Sequence, residues 1–518
     1  MKRLKSHVCG EWFEGTGAGS ELLNPATGEV LATTSTEGMD LAAVLEHART
    51  LGGPALRALT FAERGAILQE MSNALHAHRE DLISLATANG GNTRKDAKFD
   101  IDGAWQTLAY YAHLGKTLGD KRYLVDGDIE QLGRNPRWAG EHIHTPLEGV
   151  AVHINAYNFP AWGFAEKAAS ALLAGMPVVT KPATSTALVA ARAMEILVEA
   201  EILPTGAFSM ICGGAHAILD HVQSQDVVAF TGGSDTARRM RGSERVIRDN
   251  VRLNIEADSL NAAVLGPDVD TDSEVYALFL DHVFTEMTQK TGQKCTAIRR
   301  ILVPEALLES VKEELVERLN ELVVGDPALE NVRMGPLTSA SQRESVVAGL
   351  AVLEESADRV AGIAPKQLEG VAEGRGFFVE PVLLQARDSL NAGAVNRVEV
   401  FGPVSTILPW SGDADEAAAI LRAGGGGLVA SIYSDDRSFT SAVVQGAASH
   451  FGRLFLAHSK VAGMVTAPGT VLPQMVHGGP GRAGGGEELG GVRGLTHYMA
   501  RTALQGYRPI LERDFDGS

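Results

Sequence analysis

Apolar positions near the start of the chain recur at helical spacing. Thr60-Phe61-Ala62-Glu63 has the form of a capping box, in which hydroxyl and carboxylate satisfy orphan amides reciprocally. Ile67, Leu68, Met71, Leu75, Leu82 and Ile83 follow as one helical stripe, and Asn89-Gly90-Gly91 stops it. A further helix is predicted over residues 100–118. From Gly149 the pattern changes. Short apolar runs at 150–154, 178–180, 208–211, 227–230 and 251–255 read as strands, and segments 162–174, 184–201 and 216–223 read as helices. Another helix should follow Thr231-Gly232-Gly233-Ser234. This alternation predicts an α/β fold with a parallel sheet and helices on both faces. A second α/β block spans about 260–460, with its clearest helix at 305–322. Residues 122–147 break the alternation. The Asp-Gly pair in Tyr123-Leu124-Val125-Asp126-Gly127-Asp128 suggests a hairpin that leaves its domain as an arm. A last strand is expected over 495–505.

Parallel sheets bind ligands beyond the carboxyl ends of their strands. Asn158, Lys181 and Gly232 each follow a predicted strand, so a nucleotide site is expected there. No G-x-G-x-x-G opens the fold, and Gly15-Thr16-Gly17-Ala18-Gly19 lacks the strand–helix context and reads as a loop. The glycine-rich run Gly481-Arg482-Ala483-Gly484-Gly485-Gly486 either wraps a substrate or is a linker.

Composition narrows the class. At 518 residues the chain can hold two or three domains, and a net charge of −18 argues against nucleic-acid binding. No apolar run reaches the ~20 residues that span a bilayer. The basic start is not followed by an apolar stretch, so no signal peptide is expected. Three cysteines without a C-x-x-C pair suggest a reducing, cytoplasmic setting. No metal site is expected. His76 and His78 fall on a helix, where i and i+2 do not face each other, and His142 and His144 lack a third ligand.

The most chemically informative stretch is Thr291-Gly292-Gln293-Lys294-Cys295-Thr296-Ala297. Ahead of it lie Asn158-Phe159-Pro160 and Lys181-Pro182-Ala183, and after it Glu399-Val400-Phe401-Gly402-Pro403-Val404. In this order and at these distances the four runs resemble the aldehyde dehydrogenase superfamily, over nearly the whole chain. The resemblance implies that Cys295 is a nucleophile. A thiolate adds readily to an aldehyde and later leaves as a thioester's leaving group. It implies that Asn158 donates to the oxyanion of the adduct. Hydrolysis of the thioester needs an activated water, hence a carboxylate near the sulfur. Here the chain departs from the pattern. The superfamily's glutamate would fall at Asn254, and the nearest carboxylate, Glu256, lies two residues later in Asn254-Ile255-Glu256-Ala257-Asp258-Ser259. Residues two apart on an extended segment share a face, so Glu256 can serve the same site, with Asp258 as rival.

The resemblance further implies that Lys181 and Glu399 bind the two ribose ends of a dinucleotide and that Phe401 packs by the nicotinamide. Gly232, Gly233 and Ser234, at a strand–helix junction, suit a pyrophosphate. NAD-preferring relatives often carry a glutamate where this chain has Thr184. A threonine tolerates a 2'-phosphate, so NADP is the expected cofactor, with NAD possible, although Thr184 also suits a helix cap. Lys167 reads equally as a salt-bridging surface lysine or as part of a proton route. The implied organisation has a Rossmann-like cofactor domain at 1–122 and 146–255, and a catalytic domain at 256–460. A β oligomerisation arm at 123–145 and 490–518 should make a homodimer or dimer of dimers. The runs 254–261 and 292–300 are similar to a branch acting on CoA-linked semialdehydes in aerobic aromatic breakdown. The chain ends soon after its last strand, which suggests the branch's stand-alone form. A CoA-acylating dehydrogenase, or a non-enzymatic protein keeping the fold, are the alternatives. Glu256 argues against the first, and retention of Cys295 and Asn158 against the second.

Overall fold

The computed structural model describes residues 2–362 and 367–515. The expected domains at 1–122, at 256–460 and at 490–518 thus each include positions outside the described residues, namely Met1, 363–366 and 516–518.

Two seven-stranded sheets organise the chain. In the first, five parallel strands lie in the order Arg252–Glu256, Val227–Thr231, Ala151–Ile154, Val178–Lys181 and Phe208–Met210. Ser6–Val8 and Glu11–Phe13 extend it antiparallel at one edge. These central strands are almost wholly buried, as strands covered on both faces must be. The second sheet has the order Ala357–Ala361, Val382–Ala386, Val404–Trp410, Arg300–Pro304, Ala262–Leu265, Gly427–Tyr433 and Phe451–Ala457, parallel except at its first pair. Each sheet carries its own buried apolar clusters on its two faces.

Local expectations hold or fail for identifiable reasons. The capping box forms, with Glu63 N bonded to Thr60 Oγ1 at 3.2 Å and Thr60 N to Glu63 Oε2 at 2.8 Å. The stripe that follows breaks at His78 into helices Phe61–Ala77 and Arg79–Gly90, and Gly91 ends the second with φ 69°. The Asp-Gly pair does not form the hairpin turn. Leu124–Gln131 runs straight through it, with Gly127 at φ 86° in an irregular register, and the chain reverses over residues 132–137. The last strand begins later than expected, at Met499–Tyr507, because a short helix, Val492–Thr496, occupies the first residues. Met499–Tyr507, Trp138–Pro146 and Leu124–Gln131 form a separate three-stranded antiparallel sheet with two open edges. No helix among the described residues is long and apolar enough to cross a membrane.

Candidate active site

Strand ends place the site. Asn158 follows Ala151–Ile154, Lys181 closes Val178–Lys181, Gly232 follows Val227–Thr231, and Glu256 closes Arg252–Glu256. All four strands run parallel, so all four residues meet at one sheet edge. A cleft of about 920 Å³ opens there. Asn158, Lys181, Thr184, Gly232, Gly233, Glu256, Cys295, Glu399 and Phe401 all line it. Ser234 stays off the lining, as the first residue of helix Ser234–Arg241. Asp258 lines the cleft as well, but faces Arg482 at 3.8 Å.

The loop that presents Cys295 is held from several sides. Lys290, Thr291 and Gly292 adopt left-handed φ of 54°, 57° and 65°. A Cβ on Gly292 would stand 2.2 Å from Gly402 O, so only glycine fits. Arg299 bridges the two signature runs, bonding Gly292 O at 2.8 Å and Gly402 O at 2.6 Å. Asn261 Nδ2 donates to Cys295 O at 2.7 Å and Ala297 O at 2.9 Å. Lys294 is buried in an ion pair with Glu286 at 2.8 Å. The two runs are therefore packed on one another.

Cys295 and Glu256 stand in the wall between the cleft and a second, narrow pocket of about 40 Å³. That pocket is lined by Phe99, Phe159, Trp162 and Val471, with Asn158 and Thr296. Its three aromatic rings pack edge to face at 5.4–6.0 Å. An apolar pocket meeting a larger cleft at a thiol is the arrangement that a two-substrate reaction at sulfur requires.

His477 joins the pair, and nothing in its sequence surroundings marks it. Its Nε2 lies 2.9 Å from Glu256 Oε2 and 4.0 Å from Cys295 Sγ. Burial would raise the Glu256 carboxyl, but the charge and hydrogen bond of His477, aided by Lys167, hold it down at about 2. Burial would lower His477, but Glu256 outweighs it and raises the imidazole. Burial, then the Glu256 charge, push the Cys295 thiol well above its ordinary range. The resting group is thus a protonated thiol beside an ionised carboxylate.

Lys167 is no surface lysine. It is buried, 3.1 Å from both Glu166 and Glu488, and burial, with the Glu166 and Glu256 charges, raises the Glu488 carboxyl to about 7 against the pull of Lys167. Glu488 and Glu166, like His477, carry no local sequence signal. They are read only from the fold.

The residues fit a dinucleotide. Helix Ser234–Arg241 has no side-chain cap, and a Cβ on Gly233 would meet nothing within 4 Å, so free amides face open space. Glu399 is buried, accepts at Oε2 from Ser259 N–H at 3.2 Å, and leaves Oε1 without a hydrogen-bond partner. Burial, then the neighbouring Asp258 charge, raise its carboxyl to about 7 against the pull of Arg299. Phe401 packs against Tyr157 at 6.1 Å and under Arg299 at 5.5 Å.

Fold and site together define an oxidoreductase of the aldehyde dehydrogenase kind. The model of the aldehyde dehydrogenase family matches residues 12–503, and the chain belongs to that family. It is an NAD(P)-dependent enzyme that oxidises an aldehyde. Over 479 residues, 92% of this chain and 93% of the relative, it is 46% identical to a 3,4-dehydroadipyl-CoA semialdehyde dehydrogenase of Aromatoleum evansii. It is 28% identical to a succinate-semialdehyde dehydrogenase [NADP(+)] of Escherichia coli K12, over 84% of this chain and 86% of that one. A solved E. coli NADP-dependent enzyme superposes with a TM-score of 0.83 at 25% identity, covering 97% of this chain and 98% of that one.

Proposed function

We propose that the enzyme oxidises a CoA-linked semialdehyde, 3,4-dehydroadipyl-CoA semialdehyde or a close analogue, to its acid with NADP. The observation that carries this reading is the convergence of Cys295, Glu256 and Asn158 between the cleft and the aromatic pocket. The 46% identical relative supplies the substrate class.

The Cys295 sulfur adds to the aldehyde carbon as thiolate, its proton passing to solvent in the cleft that it lines. Asn158 donates a hydrogen bond to the oxygen that becomes negative. The cofactor, when bound, supplies the hydride acceptor. The acyl group then remains on Cys295 as a thioester. Glu256 takes a proton from water, the water attacks the thioester carbon, and sulfur departs as thiolate. Behind this pair, Lys167 and Glu488 offer a buried route along which the proton can leave.

Preference for NADP is supported by Thr184. The helix that follows it uses no side-chain cap, so its hydroxyl is not spent there, and Lys181 and Arg239 line the same cleft. The two open edges of the three-stranded sheet suit pairing with a second copy, hence a homodimer or dimer of dimers, in the cytoplasm. In this reading the domain at 1–122 and 146–255 would hold the cofactor, the one at 256–460 would carry the Cys295 loop, and the arm at 123–145 and 490–518 would pair the copies.

The direct test is reduction of NADP by the semialdehyde, with Cys295→Ala as control. The variant should bind NADP, by fluorescence titration, and show no turnover. Retained turnover would rule out the covalent route. Release of acyl-CoA from free CoA in place of acid would favour the acylating alternative.

A further inference from the structure

The position that the superfamily pattern reserves for glutamate is taken here by Asn254, and the structure shows what that asparagine does instead. Its Nδ2 donates to Glu487 O at 2.9 Å and its Oδ1 accepts from Glu487 N at 2.9 Å. The glycine-rich run continues the same seam. Ala257 N bonds Ala483 O at 3.0 Å and Gly486 N bonds Ile255 O at 3.0 Å. A Cβ on Gly484 would lie 2.2 Å from Ile255 O, and one on Gly486 would lie 2.4 Å from Asn254 Oδ1. The run is therefore neither a linker nor a substrate wrap. It seats the hairpin of Val476–Gly478 and Glu487–Leu489 on the strand that ends in Glu256. In that hairpin His477 pairs with Glu488 across the strands. His477 thereby reaches Glu256 at 2.9 Å, and both side chains are only 5% exposed.

We infer that His477 is the positioning residue of the displaced base: seated by Asn254 and the glycine run, its Nε2–H holds the Glu256 carboxylate beside the Cys295 sulfur. This rests on Glu256 being the base. A carboxylate at the end of a strand, two residues beyond the usual place, has lost the geometry built around that place. The hairpin restores it from the other side. Sulfur, ring nitrogen and carboxylate oxygen lie within 4.8 Å of one another. The charged and titratable groups facing the imidazole are Glu256, Cys295, Glu166, Glu488 and Arg453, with Lys167 paired to Glu166 and Glu488. Of these, Glu256 bonds it at 2.9 Å, and the Cys295 sulfur stands at 4.0 Å.

The test uses the full-length enzyme with NADP and an aldehyde. His477→Phe should keep the rapid burst of NADPH and the Kd for NADP, both of which precede water attack. Its steady-state kcat should fall roughly 10- to 100-fold near neutral pH, the scale of a misplaced catalytic group. An acid limb should also enter the kcat–pH profile, because Glu256 loses the cation that holds it low, and a carboxyl raised by burial protonates at higher pH. His477→Gln keeps a donor without charge. It should recover most of the rate and retain the new acid limb. If His477→Phe fails to fold, the limb in His477→Gln carries the test. A wild-type kcat and profile in His477→Phe would overturn the proposal. So would a loss equal at every pH that His477→Gln does not relieve, which marks mere packing. Glu256→Gln separates the two readings. If it turns over normally, the base assignment has failed; if it stalls while both His477 variants behave as wild type, only the positioning role has.

Discussion

Replacing Glu256 with glutamine removes one charge at the point where sulfur, imidazole and carboxylate meet. The amide oxygen can still accept from His477 Nε2, now 2.9 Å from the carboxylate, so the site should keep its shape. Two consequences of opposite sign follow. Water attack on the thioester loses its base, and general-base catalysis is worth roughly 10²–10⁴-fold, or about 3–5 kcal/mol of barrier. The Cys295 thiol meanwhile loses the nearest charge that raises it, leaving burial as the main cause. It should therefore react faster with iodoacetamide at a given pH. Rapid mixing with NADP and aldehyde should show one NADPH per active site and then a very slow phase. Intact-protein mass spectrometry should find the acyl group on Cys295, and its mass identifies the aldehyde. Unchanged turnover would place the base elsewhere, with Asp258→Asn the next variant to make. A vanished burst would show instead that Glu256 chiefly deprotonates the thiol.

Other outcomes are open to simpler measurements. Thr184→Glu should raise the KM for NADP more than that for NAD, since two negative charges would meet at the ribose; a wild type with higher kcat/KM for NAD would refute the preference. Lys294→Met leaves Glu286 buried without its cation, and should cost about 3–5 kcal/mol in urea unfolding. Glu399 sits at about 7, so it ionises as pH rises through neutrality. If the ionised form binds ribose hydroxyls, cofactor KM should fall over that range in wild type and stay flat in Glu399→Gln. Light scattering should give a dimer or tetramer, and a monomer at micromolar concentration would contradict the open-edged arm.

Much was legible in the chain itself. Strand–helix alternation from Gly149 is a local property, set by which short runs can be buried on both faces, and it predicted the parallel sheet and the strand ends where Asn158, Lys181, Gly232 and Glu256 sit. The Cys295 loop was legible by a different route, as a motif. It was read through a family resemblance, and the structure adds that its backbone needs glycine at 292 to pass Gly402. The Asp-Gly pair misled because a left-handed glycine serves a bulge as well as a turn, and the cross-strand register that chooses between them is not local. Nor could the chain reveal that Lys167 is buried, or that His477 and Glu488 face the site. Those residues lie on a two-stranded hairpin more than 200 positions beyond Glu256, held there by an asparagine and glycines whose partners are backbone atoms of a distant strand. Hydrophobic periodicity reports which face of an element is buried. It says nothing of which element lies against it, and the charges that hold Glu256 low and raise Cys295 depend on that second fact alone.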